Sequence, residues 1–149
     1  MDDRPGQLLL TFPTLDIAVR CDLLWDTNPD LCELMARSVP FDTHYAHTLA
    51  SGEGMYAPTR MVGTVPGTCE LLSEMAPGTL TLSTTNYKSL GAWYGVVTEA
   101  LPATPVACAI AEDLPLLKRA GREVWFATIS GHTPVPVHVS LADSPSEGN

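Results

Sequence analysis

Apolar and polar residues alternate from Leu15 to Leu23, the two-residue period of a strand whose successive side chains point to opposite faces. Leu15, Ile17, Val19, Cys21 and Leu23 share one face, and Asp16, Arg20 and Asp22 the other. One face is dry and one is wet. QLLLTF just before it, and GTLTLSTT, AWYGVVTE and PVACAIAE later, read as further strands, punctuated by GEG, GTVPGT, APGT, SLG and LPATP. TPVPVHVSL closes the series, with Val135, Val137, Val139 and Leu141 facing inward.

Two stretches change period. In WDTNPDLCELMARSVPF, Asn28 stands at a capping position, Pro29 at the first helical residue and Asp30 in the first turn, where its charge complements the helix dipole. Leu31, Leu34, Met35 and Val39 line one face, and Pro40 ends the helix after two to three turns. EDLPLLKRAGREVWFATI offers Glu112 or Asp113 as a cap, Pro115 in its first turn and a stripe of Leu114, Leu117, Val124 and Thr128. Gly121 and the β-prone run VWFATI weigh against that helix. Many strands with two helices predict a mostly-β barrel capped by helices. No repeat or linker divides the chain, so residues 1–149 are read as one domain, with 1–6 and 142–149 as flexible tails.

Composition narrows the function classes. At 149 residues a domain buries roughly 68–70% of its unfolded surface and needs no staple. The formal net charge is -9, and the only adjacent basic pair is Lys118-Arg119, so neither nucleic acid nor an anionic membrane is an expected partner. MDDRPGQ lacks the layout of a secretion signal, and no apolar run reaches membrane-spanning length. Cys21, Cys32, Cys69 and Cys108 are widely spaced among apolar neighbours, which reads as reduced core cysteine in a cytoplasmic protein. No zinc spacing, nucleophile elbow or phosphate loop is present. The expectation is no metal and no cofactor.

One stretch concentrates reactive groups: HYAHTLASGEGMYAPTR, His44 to Arg60. On a strand, Tyr45, His47, Leu49 and Ser51 share a face, and continued alternation adds Glu53. The flanking Gly52 and Gly54 allow a turn or bulge to re-aim that carboxylate. A carboxylate beside an imidazole suits proton shuttling, although a solvated hairpin tip is the commoner fate of Gly-Glu-Gly. Between Arg37 and Lys118 the only basic side chains are Arg60 and Lys88, each among hydroxyls and aromatics. They are candidate anchors for a carboxylate ligand. Tyr56, Trp93 and Tyr94 are candidate walls for an aromatic substrate, or else core.

Taken in order, WDTNPDLCELMARSVPF, HTLASGEGMY, PGTL and AWYG resemble a family of small cyclophilin-like proteins, the cucumopine and mikimopine synthases and their bacterial homologues, the Pictet-Spenglerases of β-carboline biosynthesis. The similarity spans Leu8 to about Leu141. It centres on Asp26-x-x-Pro29-x-x-Cys32, His47-x-x-x-Ser51-Gly52-Glu53 and Tyr94-Gly95. It implies a closed eight-stranded antiparallel barrel with helices over its ends. It also implies a cofactor-independent cyclase joining L-tryptophan, or a related arylethylamine amino acid, to a 2-oxo acid such as 2-oxoglutarate. Histidine is the nearest variant amine, and a sugar aldehyde an alternative carbonyl partner. Fitted to that chemistry, Glu53, His47 and Ser51 are the catalytic candidates. Arg60 and Lys88 would hold carboxylates, and Tyr56, Trp93 and Tyr94 would wall the ring. A homodimer is the expected assembly. A non-catalytic small-molecule binding protein is the alternative. Proline isomerisation ranks last, since the Phe-His-Arg triplet of isomerase cyclophilins is absent.

Overall fold

Residues 3–63, 67–85 and 88–142 are described in the computed structural model. Along the chain run β1 (Gln7–Phe12), β2 (Ile17–Leu23), α1 (Pro29–Ser38), β3 (Phe41–His47), β4 (Gly52–Pro58), β5 (Glu70–Leu71), β6 (Thr79–Ser83), β7 (Ser89–Val97), β8 (Pro102–Ala103), β9 (Pro105–Ala109), α2 (Leu114–Phe126) and β10 (Val135–Leu141). Eight strands close into a barrel in the order β1-β10-β3-β4-β7-β6-β9-β2, and β5 with β8 forms a separate two-stranded ribbon. Neighbours in the barrel are antiparallel, as in Leu10↔Val19 and Leu10↔Val139. Closure removes the exposed edges that an open sheet would carry.

The alternation read in β2 is the alternation observed: Ile17, Val19, Cys21 and Leu23 are buried, and Ala18, Arg20 and Asp22 are exposed. Leu8, Leu10, Phe12, Tyr45, Met55, Leu80, Leu82, Leu90, Val137 and Val139 join them in one core. Leu141 is only half-buried and packs at its margin. Trp93 belongs to a second, smaller cluster with Leu72 and Met75, against which Val97 and Ala103 pack.

The helices cover opposite ends of the barrel. α1 buries Leu31, Cys32, Leu34 and Met35, and Cys32 Sγ donates to Val106 O at 3.5 Å. α2 buries Leu117, Ala120, Gly121 and Val124 at the other end. Neither cap residue caps its own helix with its side chain. Asn28 instead donates to Pro105 O at 2.7 Å and to Thr68 O at 3.1 Å, tying α1 to the barrel. Asp113 takes Arg20 N at 2.9 Å, Nε at 2.8 Å and Nη2 at 3.0 Å. That ion pair fixes the start of α2 against β2 and holds the Asp113 carboxyl below its ordinary pKa, chiefly through the Arg20 side-chain hydrogen bond.

Several expectations change here. Gly121 does not weaken α2, because a Cβ at that position would overlap Cε1 of the Tyr94 ring. The glycine lets helix and barrel approach. VWFATI continues the helix rather than forming a strand, and Ala127–Gly131 widens into a π-helical turn. The alternation of β3 stops at His47: Leu49 is 72% exposed, because the chain turns there before β4. Cys69 is exposed and Cys108 half-buried, whereas Cys21 and Cys32 are core; all four are free thiols. Of the tails, Pro5 O accepts Trp25 Nε1 at 2.7 Å and Gly6 O accepts Leu23 N at 2.9 Å, so residues 5–6 are held down. Residues 1–2 and 143–149 lie outside the described residues. Among the described residues no helix is long and apolar enough to cross a membrane.

Candidate active site

The end of the barrel under α2 opens into a cleft of about 320 Å³ lined by His47, Gly52, Glu53, Tyr94, Lys118, Arg122 and Trp125. His47 is the last residue of β3 and only 5% exposed. Its Nδ1 lies 2.8 Å from Thr48 O, which can only accept, so Nδ1 carries the proton. Nε2 is then the acceptor and takes the Tyr94 O–H at 2.5 Å. The backbone N–H of His47 donates to Thr128 Oγ1 at 3.0 Å, so the π-helical turn after α2 reaches back to the site. The imidazole meets the Trp125 ring edge-on, with centroids 5.0 Å apart.

Tyr94 points from β7 into the same end of the barrel, beneath Gly121. Burial, with a smaller push from the Glu53 charge and an opposing pull from Arg122, drives its phenol up to about 12. It therefore stays a protonated donor to His47 at neutral pH.

Glu53 reaches the cleft through a local irregularity of β4. Gly52 pairs with Val97 and Gly54 with Trp93, so the ladder shifts register across Glu53. Gly52 has φ +99 and Val96 O against its missing Cβ, a position open to glycine alone. The Glu53 carboxylate lies over Gly95, where any side chain would collide with it. Its Oε1 accepts the Val96 N–H at 2.8 Å. The side chain is exposed at the rim, with the Tyr94-His47 pair deeper in.

Sequence reasoning missed the part of the site carried by α2. Lys118, Arg122 and Trp125 stand at i, i+4 and i+7, one helical edge, and all three line the cleft. That spacing was readable once the segment was taken as helix. Two cations thus share the cleft with Glu53, and an indole closes one wall.

The other candidates lie elsewhere. Arg60 lines a different cleft at the α1 end with Arg37 and Phe41, and Lys88 is tied to that end by Thr59 N–H to Lys88 O at 2.9 Å. They follow the far end of β4 and precede β7, a barrel length from Glu53. Tyr56 is on the outer face, 47% exposed. Trp93 also points outward, donating through Nε1 to Thr81 Oγ1 at 2.9 Å. Ser51 donates a short hydrogen bond to Glu99 and is not among the lining residues. Of the eight candidates the structure gathers Glu53, His47 and Tyr94. Among the described residues no group of three or more His, Cys, Asp and Glu side chains is arranged to hold a metal ion.

Chemically, the cleft offers a carboxylate at its mouth, a buried, hydrogen-bonded phenol-imidazole pair, two cations and an aromatic wall. It can move protons at its rim and hold a carboxylate-bearing ligand with a flat ring.

No protein-family model and no curated protein matches this sequence. Among solved structures, McbB in complex with tryptophan superposes with a TM-score of 0.86 at 32% identity over 94% of this chain. The chain spans just under half of the McbB chain, 46%. A hypothetical protein of Archaeoglobus fulgidus, solved in solution, superposes with a TM-score of 0.63 over 95% of this chain and 100% of its own, at 11% identity, a likeness of fold alone. The closed eight-stranded antiparallel barrel with two helices is therefore McbB-like over nearly the whole chain, in backbone and in about a third of its residues.

Proposed function

We propose that this chain is a Pictet-Spengler cyclase that condenses L-tryptophan, or a related arylethylamine amino acid, with a 2-oxo acid such as 2-oxoglutarate to a tetrahydro-β-carboline. The observation that carries the reading is the composition of the α2-end cleft, where Glu53 shares one small space with Lys118, Arg122, Trp125 and the Tyr94-His47 pair. Similarity to a chain solved in complex with tryptophan supports the choice of amine.

In this mechanism the amine adds to the carbonyl carbon, and water leaves to give an iminium ion. The indole carbon attacks the iminium carbon, forming the new C–C bond. The ring then loses its proton and recovers aromaticity, so the product is the sum of the substrates less one water. Glu53 gives a proton to the departing hydroxyl and, as carboxylate, takes the ring proton afterwards. One rim carboxyl so placed serves both steps, and such transfer contributes typically 10²–10⁴-fold. Lys118 and Arg122 hold substrate carboxylates by charge-assisted hydrogen bonds, a role that Arg60 and Lys88 are too distant to share. Trp125 walls the ring. The Tyr94-His47 pair forms a rigid polar floor that aligns the two reactants, an entropic contribution. A cleft of about 320 Å³ is at the low end of the roughly 300–1,000 Å³ of ligand pockets. It suits one aromatic amino acid inside, with the oxo acid at the open rim.

A second reading, binding without turnover, draws on the exposure of Glu53. Incubating the purified protein with tryptophan and 2-oxoglutarate at neutral pH separates the two. The cyclase gives a product of the expected mass in enantiomeric excess, because a chiral cleft presents one iminium face to the indole. A racemic product at the background rate, across tryptophan, histidine and several carbonyl partners, rejects it.

A further inference from the structure

The opposite end of the barrel carries a second cleft, larger than the first at about 1040 Å³. It lies where α1 meets the start of β3 and the segment following β4. Two of the chain's eight Lys and Arg residues, Arg37 and Arg60, line it in a protein of net charge -9. Among the described residues neither guanidinium is held in an ion pair within 4 Å. Among the described residues Asp42 is the only carboxylate on the lining, and it is engaged by His138 Nδ1 at 2.9 Å. The hydroxyls are unevenly committed. Ser38 donates to Leu34 O and Thr43 to Pro58 O, each at 2.6 Å. Thr59 Oγ1, by contrast, is buried here and has no hydrogen-bond partner among the described residues. Leu34, Phe41 and Met61 supply apolar surface beside these groups.

We infer that this α1-end cleft is a second ligand site, taking a small organic acid that has one carboxylate and an apolar body. Uncommitted guanidiniums present forked donors that match a carboxylate. A locally positive cleft on an acidic protein focuses anions there. The apolar wall selects against a bare inorganic anion. The site does not depend on the reaction assigned to the α2-end cleft.

Titrating 15N-labelled full chain with sodium hexanoate tests it, with inorganic phosphate in a parallel titration. Amide shifts are expected at Arg37, Thr59, Arg60 and Met61. Affinity should fall roughly tenfold or more in Arg37→Ala and again in Arg60→Ala, the loss of a charge-assisted hydrogen bond at each. Both arginines are exposed, so the variants keep the wild-type spectrum elsewhere. Arg119→Ala, an exposed cation on α2 that lines neither cleft, should leave the hexanoate affinity read at Arg37, Arg60 and Met61 unchanged. Shifts confined to the α2 end, an unchanged affinity in the double arginine variant, or phosphate binding as tightly as hexanoate would each overturn the assignment.

Discussion

Replacing Gly121 by alanine sets two physical effects of opposite sign against each other. Alanine is the better helix former by about 1 kcal/mol, so propensity alone makes the variant more stable. The structure reverses that sign. A Cβ there would overlap Cε1 of the Tyr94 ring, with Cδ1 also only 2.6 Å away. The ring cannot yield cheaply, because its hydroxyl is tied to His47 Nε2 at 2.5 Å and Tyr94 is 5% exposed. Overpacking of this kind costs about 1–3 kcal/mol. Pulling Tyr94 away also strands the His47 acceptor, about 1–3 kcal/mol more. Against the propensity gain of about 1 kcal/mol, these two costs leave a net loss of about 3 kcal/mol, or a Tm lower by roughly 6–12 °C for a chain of this size. Thermal and urea unfolding measure it. In a Tyr94→Leu background the clash is gone, and the same glycine-to-alanine change should become neutral or stabilising by up to about 1 kcal/mol, a coupling that the double-mutant cycle reads directly. A Gly121→Ala protein as stable as wild type, or more so, would refute the packing argument.

Four further outcomes are expected. Glu53→Gln keeps an acceptor for the Val96 N–H and should leave the Tm within about 1 °C, while turnover drops roughly 10²–10⁴-fold; normal turnover ends the assignment of Glu53. Lys118→Ala and Arg122→Ala should raise KM for the oxo acid, whereas Arg60→Ala and Lys88→Ala should not; the reverse pattern would move the anchor to the α1 end. The Asp113 carboxyl, depressed by Arg20, contributes stability that is present above its ordinary pKa and lost as pH falls through the lower folded value. Asp113→Asn should accordingly be less stable than wild type at neutral pH by a margin that shrinks below about pH 4, and a gap constant with pH by urea unfolding would count against the ion pair. Maleimide labelling of the native chain should modify Cys69 first, since it alone is exposed, while burial pushes the Cys32 thiol up to about 11 and raises those of Cys21 and Cys108; equal labelling of all four would contradict the burial.

Elements whose signal is local were legible along the chain. The alternation of β2 and β10 survives because one face of each strand packs on the core, so a slip of one residue would bury charge. The Asn28-Pro29-Asp30 start and the apolar face of α1 were legible for a similar reason. Through β3, the Gly-Glu-Gly of β4 and the AWYG of β7 the sequence also named three residues of the cleft, His47, Glu53 and Tyr94. What it could not place depends on contacts distant along the chain. Trp93 and Tyr94 are adjacent and both buried, and only closure of the barrel puts one outside beside Leu72 and the other inside beneath Gly121. Gly121 weighed against a helix because its reason, the Tyr94 ring, comes from β7, 27 residues earlier. Arg60 and Glu53 are near in sequence, but a strand rises about 3.3 Å per residue, so β4 carries them to opposite ends of the barrel. Lys118, Arg122 and Trp125 become neighbours of Glu53 only because the Arg20-Asp113 pair and the glycine contact seat α2 across the mouth. Periodicity fixes which way a side chain points on its own element; which elements then face one another is decided by closure and packing.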